Sequence, residues 1–287
     1  MAHVREIKSH LKGIRNIYQI TNAMKMVASA RLKRAQDRIL SNRPYAFQLS
    51  DVVRNLSQKL DEKAHPLLKS RSEGQTILLV ITADRGLCGS FNVNILRRAQ
   101  SFLKENTLCT VLTVGRKSHD FFKRRAIAIH RSWMYLFPEI PYSSALEISN
   151  ELINLFTQEQ FKEVVCIFNE FKSSTQQKVT LIKLLPIRTE KKSNQLDSFK
   201  NSGMYLFEPS ESKILEELLP HYLATNIYRM LLESFSSEMG AKMNAMEAAS
   251  KNAIEMIRKL TLEFNRARQD MITKEISEIV SGAEALK

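Results

Sequence analysis

The sequence predicts an α/β protein: a long antiparallel coiled coil of the N- and C-terminal helices plus a central, mostly parallel α/β domain of Rossmann-like type. Three observations carry this. Residues that end helices are nearly absent from both ends, apolar side chains there recur at coiled-coil spacing, and the middle alternates short apolar runs with amphipathic stretches. The expected divisions are an N-terminal helix over residues 1–58, a central α/β domain over 74–208 and a C-terminal helix over 210–287.

From Arg5 to Arg43 the only Gly or Pro is Gly13, and from His221 to Ser281 the only one is Gly240. Helices of that length, at about 1.5 Å per residue, extend roughly 60–90 Å, far beyond what a compact domain needs. In the C-terminal segment Met246, Ala249, Ala253, Ile257, Leu260, Phe264, Ala267 and Met271 recur at alternating steps of three and four. In the N-terminal segment Ile7, Leu11, Ile14, Tyr18, Thr21, Met24, Ala28, Leu32, Ala35 and Ile39 do the same. An apolar stripe alone fits an ordinary core helix. A pattern sustained well beyond 25 residues points instead to a coiled coil, a membrane span or a repeat. The charges exclude a span and no repeat is visible, so the two ends are expected to pair with each other. They would run antiparallel, because the intervening domain returns the chain to the base of the first helix.

Charge says what the helices meet. Residues 1–43 hold ten Lys and Arg against Glu6 and Asp37, a net of +8; residues 242–274 hold seven against four acids, a net of +3. These two stretches carry most of the chain's +13, so the partner is expected to be acidic. A basic helical stripe is also the electrostatic footprint of a nucleic-acid binder. Against that reading, the basic helices lack interleaved aromatics for base stacking; Tyr18 and Phe264 sit on the seam. A solvated face with no partner is disfavoured because like charges repel at i, i+4.

Composition bounds the rest. At 287 residues, 44% hydrophobic and 25% charged, the chain has the make-up of an ordinary globular protein of one or two domains. The start is basic and amphipathic, but its seam continues without a break, so it is read as mature structure and not as a transit peptide. No apolar run is long enough to span a bilayer. Cys88, Cys109 and Cys166 are odd in number and lack metal or redox spacing, which suggests a reducing compartment. Cys109 and Cys166 read as small core residues.

In the middle, Ile77–Thr82, Leu108–Val114, Ala126–His130 and Val164–Phe168 read as strands. Asn92–Leu103, Lys117–Lys123 and Ser144–Phe156 read as helices. That alternation argues a mostly parallel sheet with helices on its faces. Lys178–Leu185 reads as an added strand and Lys191–Ser202 as a polar loop.

The segment TADRGLCGSFN, Thr82–Asn92, is a strand-to-helix glycine loop and invites a nucleotide-binding reading. It contains neither GxxxxGK(S/T) nor GxGxxG. Gly86 and Gly89 are better read as shaping a tight turn, with Asn92 or Ser90 capping the next helix. There is no HExxH and no GxSxG, Trp133 reads as core, and no catalytic residue, cofactor or metal is expected.

The N-terminal IKSHLKGIRNIYQITNAMKMVASARLKRAQ, the central DRGLCGSFN and the C-terminal MEAASKNAIEMIRKLTLEFNRARQDMITKEISEIVSGAEAL resemble the gamma subunit of the rotary F-type ATP synthase, in the same order along the chain. The middle, from Arg97 to about Asn201, carries little of the likeness. The resemblance implies a left-handed coiled coil inside a hexameric ring of alternating alpha and beta subunits. It implies a globular domain beneath, with the epsilon subunit, on a membrane-embedded c-ring. It implies a single-copy, non-catalytic shaft coupling proton-driven or sodium-driven rotation to ATP synthesis or hydrolysis, without nucleic acid, peripheral on the cytoplasmic face of a bacterial plasma (inner) membrane.

The same resemblance suggests positions. Met24 and Lys25, in AMKMV, correspond to the segment facing an acidic catch loop of the beta subunit. For Met24 the seam role stands beside the contact role. Arg268, Gln269, Thr273 and Glu275, in ARQDMITKE, correspond to the upper ring contact, and Lys242 to a lower one. Tyr205, Phe207 and Glu208, in MYLFEPS, correspond to the foot on the c-ring. There are departures. Tyr18-Gln19-Ile20-Thr21 replaces the common QKIT stretch, Asn22 stands where a second Lys is frequent before the AM pair, and Lys242 follows Ala241 where Arg is common. Lysine lacks the bidentate fork of arginine, and Gly240 would weaken its helix by about 1 kcal/mol relative to Ala. The paired-cysteine insertion of chloroplast members is absent, so no thiol switch is expected. Two other classes remain: a coiled-coil arm binding nucleic acid, and a nucleotide-dependent enzyme using Gly86–Asn92.

Overall fold

The computed structural model describes residues 2–59, 65–158, 160–174, 176–187 and 210–284. Ten elements follow in order: α1 (Ala2–Lys59), β1 (Gln75–Ile81), α2 (Phe91–Glu105), β2 (Cys109–Val114), α3 (Arg116–Arg124), β3 (Ile129–Trp133), α4 (Tyr142–Thr157), β4 (Phe161–Phe171), β5 (Gln177–Leu185) and α5 (Glu211–Glu284). They form two compact units, one of Met1–Ala30 with Lys242–Lys287 and one of Arg31–Ala241.

The first unit pairs the start of α1 with the end of α5; the expected seam positions Leu32, Ala35 and Ile39 pack instead in the core of the second unit. Each of its seam positions from Ile7 to Ala28 on α1 and from Met246 to Met271 on α5 is buried or half-buried, while Ile17, Ile20, Ile254 and Leu262 between them are exposed. The pairing is antiparallel. Thr21 meets Ser250 and Lys25 meets Glu247, whereas Val4 and Ile7 share a groove with Ala267 and Met271.

The second unit is built on a five-stranded sheet in the order β3-β2-β1-β4-β5. β1 pairs parallel with β2 and β4, β2 pairs parallel with β3, and β5 is antiparallel to β4. β1 is buried on both faces from Thr76 to Ile81, as a central parallel strand must be. Ile77, Leu79 and Ile81 join one core with Ile148 and Leu152 of α4, Val53 and Leu56 of α1, and Leu219 and Leu231 of α5. Leu78 and Val80 join the other with Phe91 and Ile95 of α2 and Phe122 of α3.

Both long helices run through a proline, Pro44 and Pro220. A proline in a helix interior costs about 3 kcal/mol. Around Pro220 the buried Leu215, Leu219, Leu223, Ala224 and Ile227 supply packing on a comparable scale, at about 1.5–3 kcal/mol for each large side chain.

Two local expectations are corrected. β3 begins at Ile129 and not at Ala126, because Ala126 takes a left-handed φ of 54° and closes α3, donating its N–H to Lys123 O at 3.1 Å. Asn92 does not cap α2: it lies inside the helix, and its Oδ1 accepts the Ala83 N–H at 3.0 Å. Ser90 holds the cap position without a side-chain cap bond.

Candidate interaction surface of the helical pair and the closed crevice of the sheet

Within the helical unit, the candidate contact residues form two groups. Met24, Lys25 and Lys242 are half-buried, whereas Arg268, Gln269, Thr273 and Glu275 are exposed beside the seam residues Ala267 and Met271. Lys242 and Arg268 stand 26 positions apart on one helix, about 39 Å along its axis. Met24 therefore sits on the seam with part of its side chain still accessible, so the two roles suggested for it are sterically compatible. Lys25 Nζ lies 3.7 Å from Glu247 Oε2, and Lys251 Nζ 3.2 Å from Glu247 Oε1. Hydrogen bonding from Lys251, with the charge of Lys25, holds the Glu247 carboxyl below its ordinary value. Tyr205, Phe207 and Glu208 lie outside the described residues.

One functional feature went unanticipated. Ser250 is buried opposite Thr21 and donates to its Oγ1 at 2.8 Å, while Thr21 donates to Tyr18 O at 3.1 Å. Its signal was present, since a threonine at an apolar seam position implies a polar partner across the interface. Tyr18 and Phe264 are half-buried, so the ring faces a nucleic-acid arm would offer are engaged in the pair.

In an open α/β sheet a ligand binds outside the carboxyl ends of the strands, where the strand order reverses. Here that point lies between β1 and β4, and it is bridged from β4 to the start of α2, while Asp84 ties the end of β1 to the segments after β2 and β3. Asp84, just past β1 and 8% exposed, accepts the Arg116 and Tyr135 N–H groups on Oδ1, both at 2.9 Å, and that of Phe137 on Oδ2 at 3.5 Å. At the end of β4, Asn169 donates to Phe91 O at 3.4 Å and accepts the Ser237 hydroxyl on its carbonyl at 3.2 Å.

α5 crosses there at Gly240, where an added Cβ would stand 3.0 Å from Ser174 O. That glycine is a close-approach residue and not simply a weak point of the helix. Gly115 is stricter: its φ is +90°, and a Cβ there would lie 2.1 Å from Thr82 O. Bare backbone at Gly115 leaves Thr82 Oγ1 free to accept from Ser118 N at 2.9 Å. Within the Thr82–Asn92 loop, Gly89 takes a left-handed φ of +56°, the tight-turn role expected of it.

Among the described residues no helix is long and apolar enough to cross a membrane. A family model described as ATP synthase matches residues 3–286. The ATP synthase gamma chain of Geotalea daltonii is 43% identical over 291 positions, covering 100% of both chains. That of Desulfitobacterium hafniense is 45% identical over 288 positions, again covering 100% of both. The fold is also that of a chain in the cryo-EM structure of the Euglena gracilis mitochondrial ATP synthase (OSCP/F1/c-ring, rotational state 3), with a TM-score of 0.71 and 18% identity over 99% of this chain and 95% of that one. With full-length relatives at this identity, and the paired terminal helices and central sheet in place, the chain belongs to the ATP synthase gamma chain family.

Proposed function

We propose that the chain is the central rotor shaft of an F-type ATP synthase. It stands in single copy within a ring of alternating alpha and beta subunits, with epsilon and the c-ring at its base. The observation that carries the reading is the seam-packed antiparallel pair of helices, which resists twisting as a single helix does not. A rod without threefold symmetry cannot contact three equivalent catalytic subunits alike, so each is biased toward a different conformation and nucleotide affinity. Turning the rod permutes those biases and couples ion-driven rotation to ATP synthesis, or the reverse. The catalytic sites belong to the beta subunits, and the assembly lies on the cytoplasmic face of a bacterial plasma membrane.

In this reading Met24, Lys25 and Lys242 face the acidic catch loop of beta. Arg268, Gln269, Thr273 and Glu275 meet the ring higher up, through exposed polar groups that can exchange partners at each step, and Tyr205, Phe207 and Glu208 form the foot on the c-ring. The test is affinity capture of the tagged chain from its native membranes. Alpha, beta and epsilon subunits are expected in the eluate, with ATPase activity absent from the isolated chain. Recovery of nucleic-acid factors alone would overturn the proposal.

A further inference from the structure

In the unit Arg31–Ala241 the inner face of α1 has a gap. Its buried apolar positions stop at Ala35 and resume at Leu49, and between them opens a cleft of about 620 Å³ bounded by α1, α5 and the end of β4. That is the size range of small-molecule sites, which combine apolar walls with a few convergent polar groups. The charges in its wall are unevenly matched. Lys172 Nζ is 2.7 Å from Glu170 Oε1, so that pair is satisfied. Arg229 is 3.8 Å from Glu233 Oε1, a loose contact, and its Nε–H is buried without an acceptor. Arg43 lines the same cleft and acts on Glu233 through charge alone, without a close ion pair or hydrogen bond among the described residues. A buried donor without an acceptor is rare enough in a folded protein to call for a partner. One helical turn from Arg43, Phe47 also lines the cleft and is 70% exposed.

We propose that this cleft is a binding site for a small aromatic carboxylate, its carboxyl group held by Arg43 and Arg229 and its flat body laid on Phe47. A guanidinium presents paired donors that match a carboxylate, and an aromatic ring offers the complementary face for stacking. Both halves of the ligand are required. An inorganic anion gains nothing from Phe47, and a neutral aromatic leaves Arg43 and the Arg229 Nε–H without a carboxylate acceptor. The site is independent of the rotor reading and stands or falls without it.

The test is calorimetric titration of the full chain with 2-naphthoate, alongside its neutral counterpart 2-naphthylmethanol and inorganic phosphate. Saturable one-to-one binding of naphthoate is expected, with each comparison compound weaker by about tenfold or more. Arg43→Ala and Phe47→Ala, both at exposed positions that leave the core intact, are each expected to weaken naphthoate by a similar factor, and Arg43→Lys by less. Absence of saturable binding, equal binding of the neutral analogue, or naphthoate affinity unchanged in Arg43→Ala would each overturn the assignment.

Discussion

Thr21 and Ser250, 229 positions apart in the chain, meet hydroxyl to hydroxyl at 2.8 Å inside the helical pair. The bond fixes register, because sliding one helix by a turn would set each hydroxyl against an apolar neighbour. Removing the two partners should have unequal effects. Thr21→Val strands a buried serine hydroxyl and should cost about 1–3 kcal/mol. Ser250→Ala leaves Thr21 bonded to the Tyr18 carbonyl and should cost about 1 kcal/mol. The double variant should recover part of the sum, and urea unfolding of all four chains measures the coupling.

Lys25 and Glu247 form an ion pair whose side chains are 38% and 40% accessible. Such pairs contribute little to stability, so Lys25→Ala should unfold at the wild-type midpoint. If Lys25 faces an acidic loop of the ring, the same variant should lower the torque or ATP-driven turnover of the reconstituted complex. Unchanged turnover would count against that contact.

Asp84 gathers three backbone N–H groups from two separate segments. Asp84→Ala leaves them without an acceptor and should destabilise by about 3 kcal/mol, since an unsatisfied buried polar group costs on the order of 1–3 kcal/mol and the acceptor here is charged. Asp84→Asn keeps one acceptor oxygen and should fall between the two. Denaturant titration of the full chains decides the order.

Burial pushes the Glu233 carboxyl above its ordinary value, with Arg229, Lys172 and Arg43 opposing and Glu170 reinforcing. A carboxyl raised in the folded state binds its proton more tightly there than in the unfolded chain. Its contribution is therefore full below the unfolded value and declines as pH rises through the folded one. Glu233→Gln, which cannot ionise, should raise the melting temperature at pH 8 relative to wild type, and the gain should shrink toward pH 4.

Ile257 is half-buried on the seam of α5. Ile257→Pro should cost about 3 kcal/mol or more of local helix stability and uncouple ion flow from ATP synthesis in membrane vesicles. Normal coupling in this variant would contradict the stiffness argument.

Much of the architecture was legible because both periods are short-range properties of the chain. The spacing from Ile7 to Ala28 and from Met246 to Met271 marks an inner face whatever lies opposite, and the run Ile77–Ile81 is apolar enough to require cover on both sides. What escaped depends on contacts distant in sequence. Ala126 belongs to a helix-ending turn that β propensity does not register. Gly240 looks like a flaw until Ser174 is seen beside it, and Asn92 resembles a cap until the end of β1 claims its oxygen. The cleft beside Arg43 has no sequence signature, since three elements must converge before it exists.

The Asp84 carboxylate and the crossing of α5 have a further consequence. The carboxyl ends of the strands are laced together and to α5 by the chain's own groups. Twist carried along α5 would thus pass straight into the sheet, through the Ser237 hydroxyl bound to Asn169 and the bare backbone of Gly240 against Ser174.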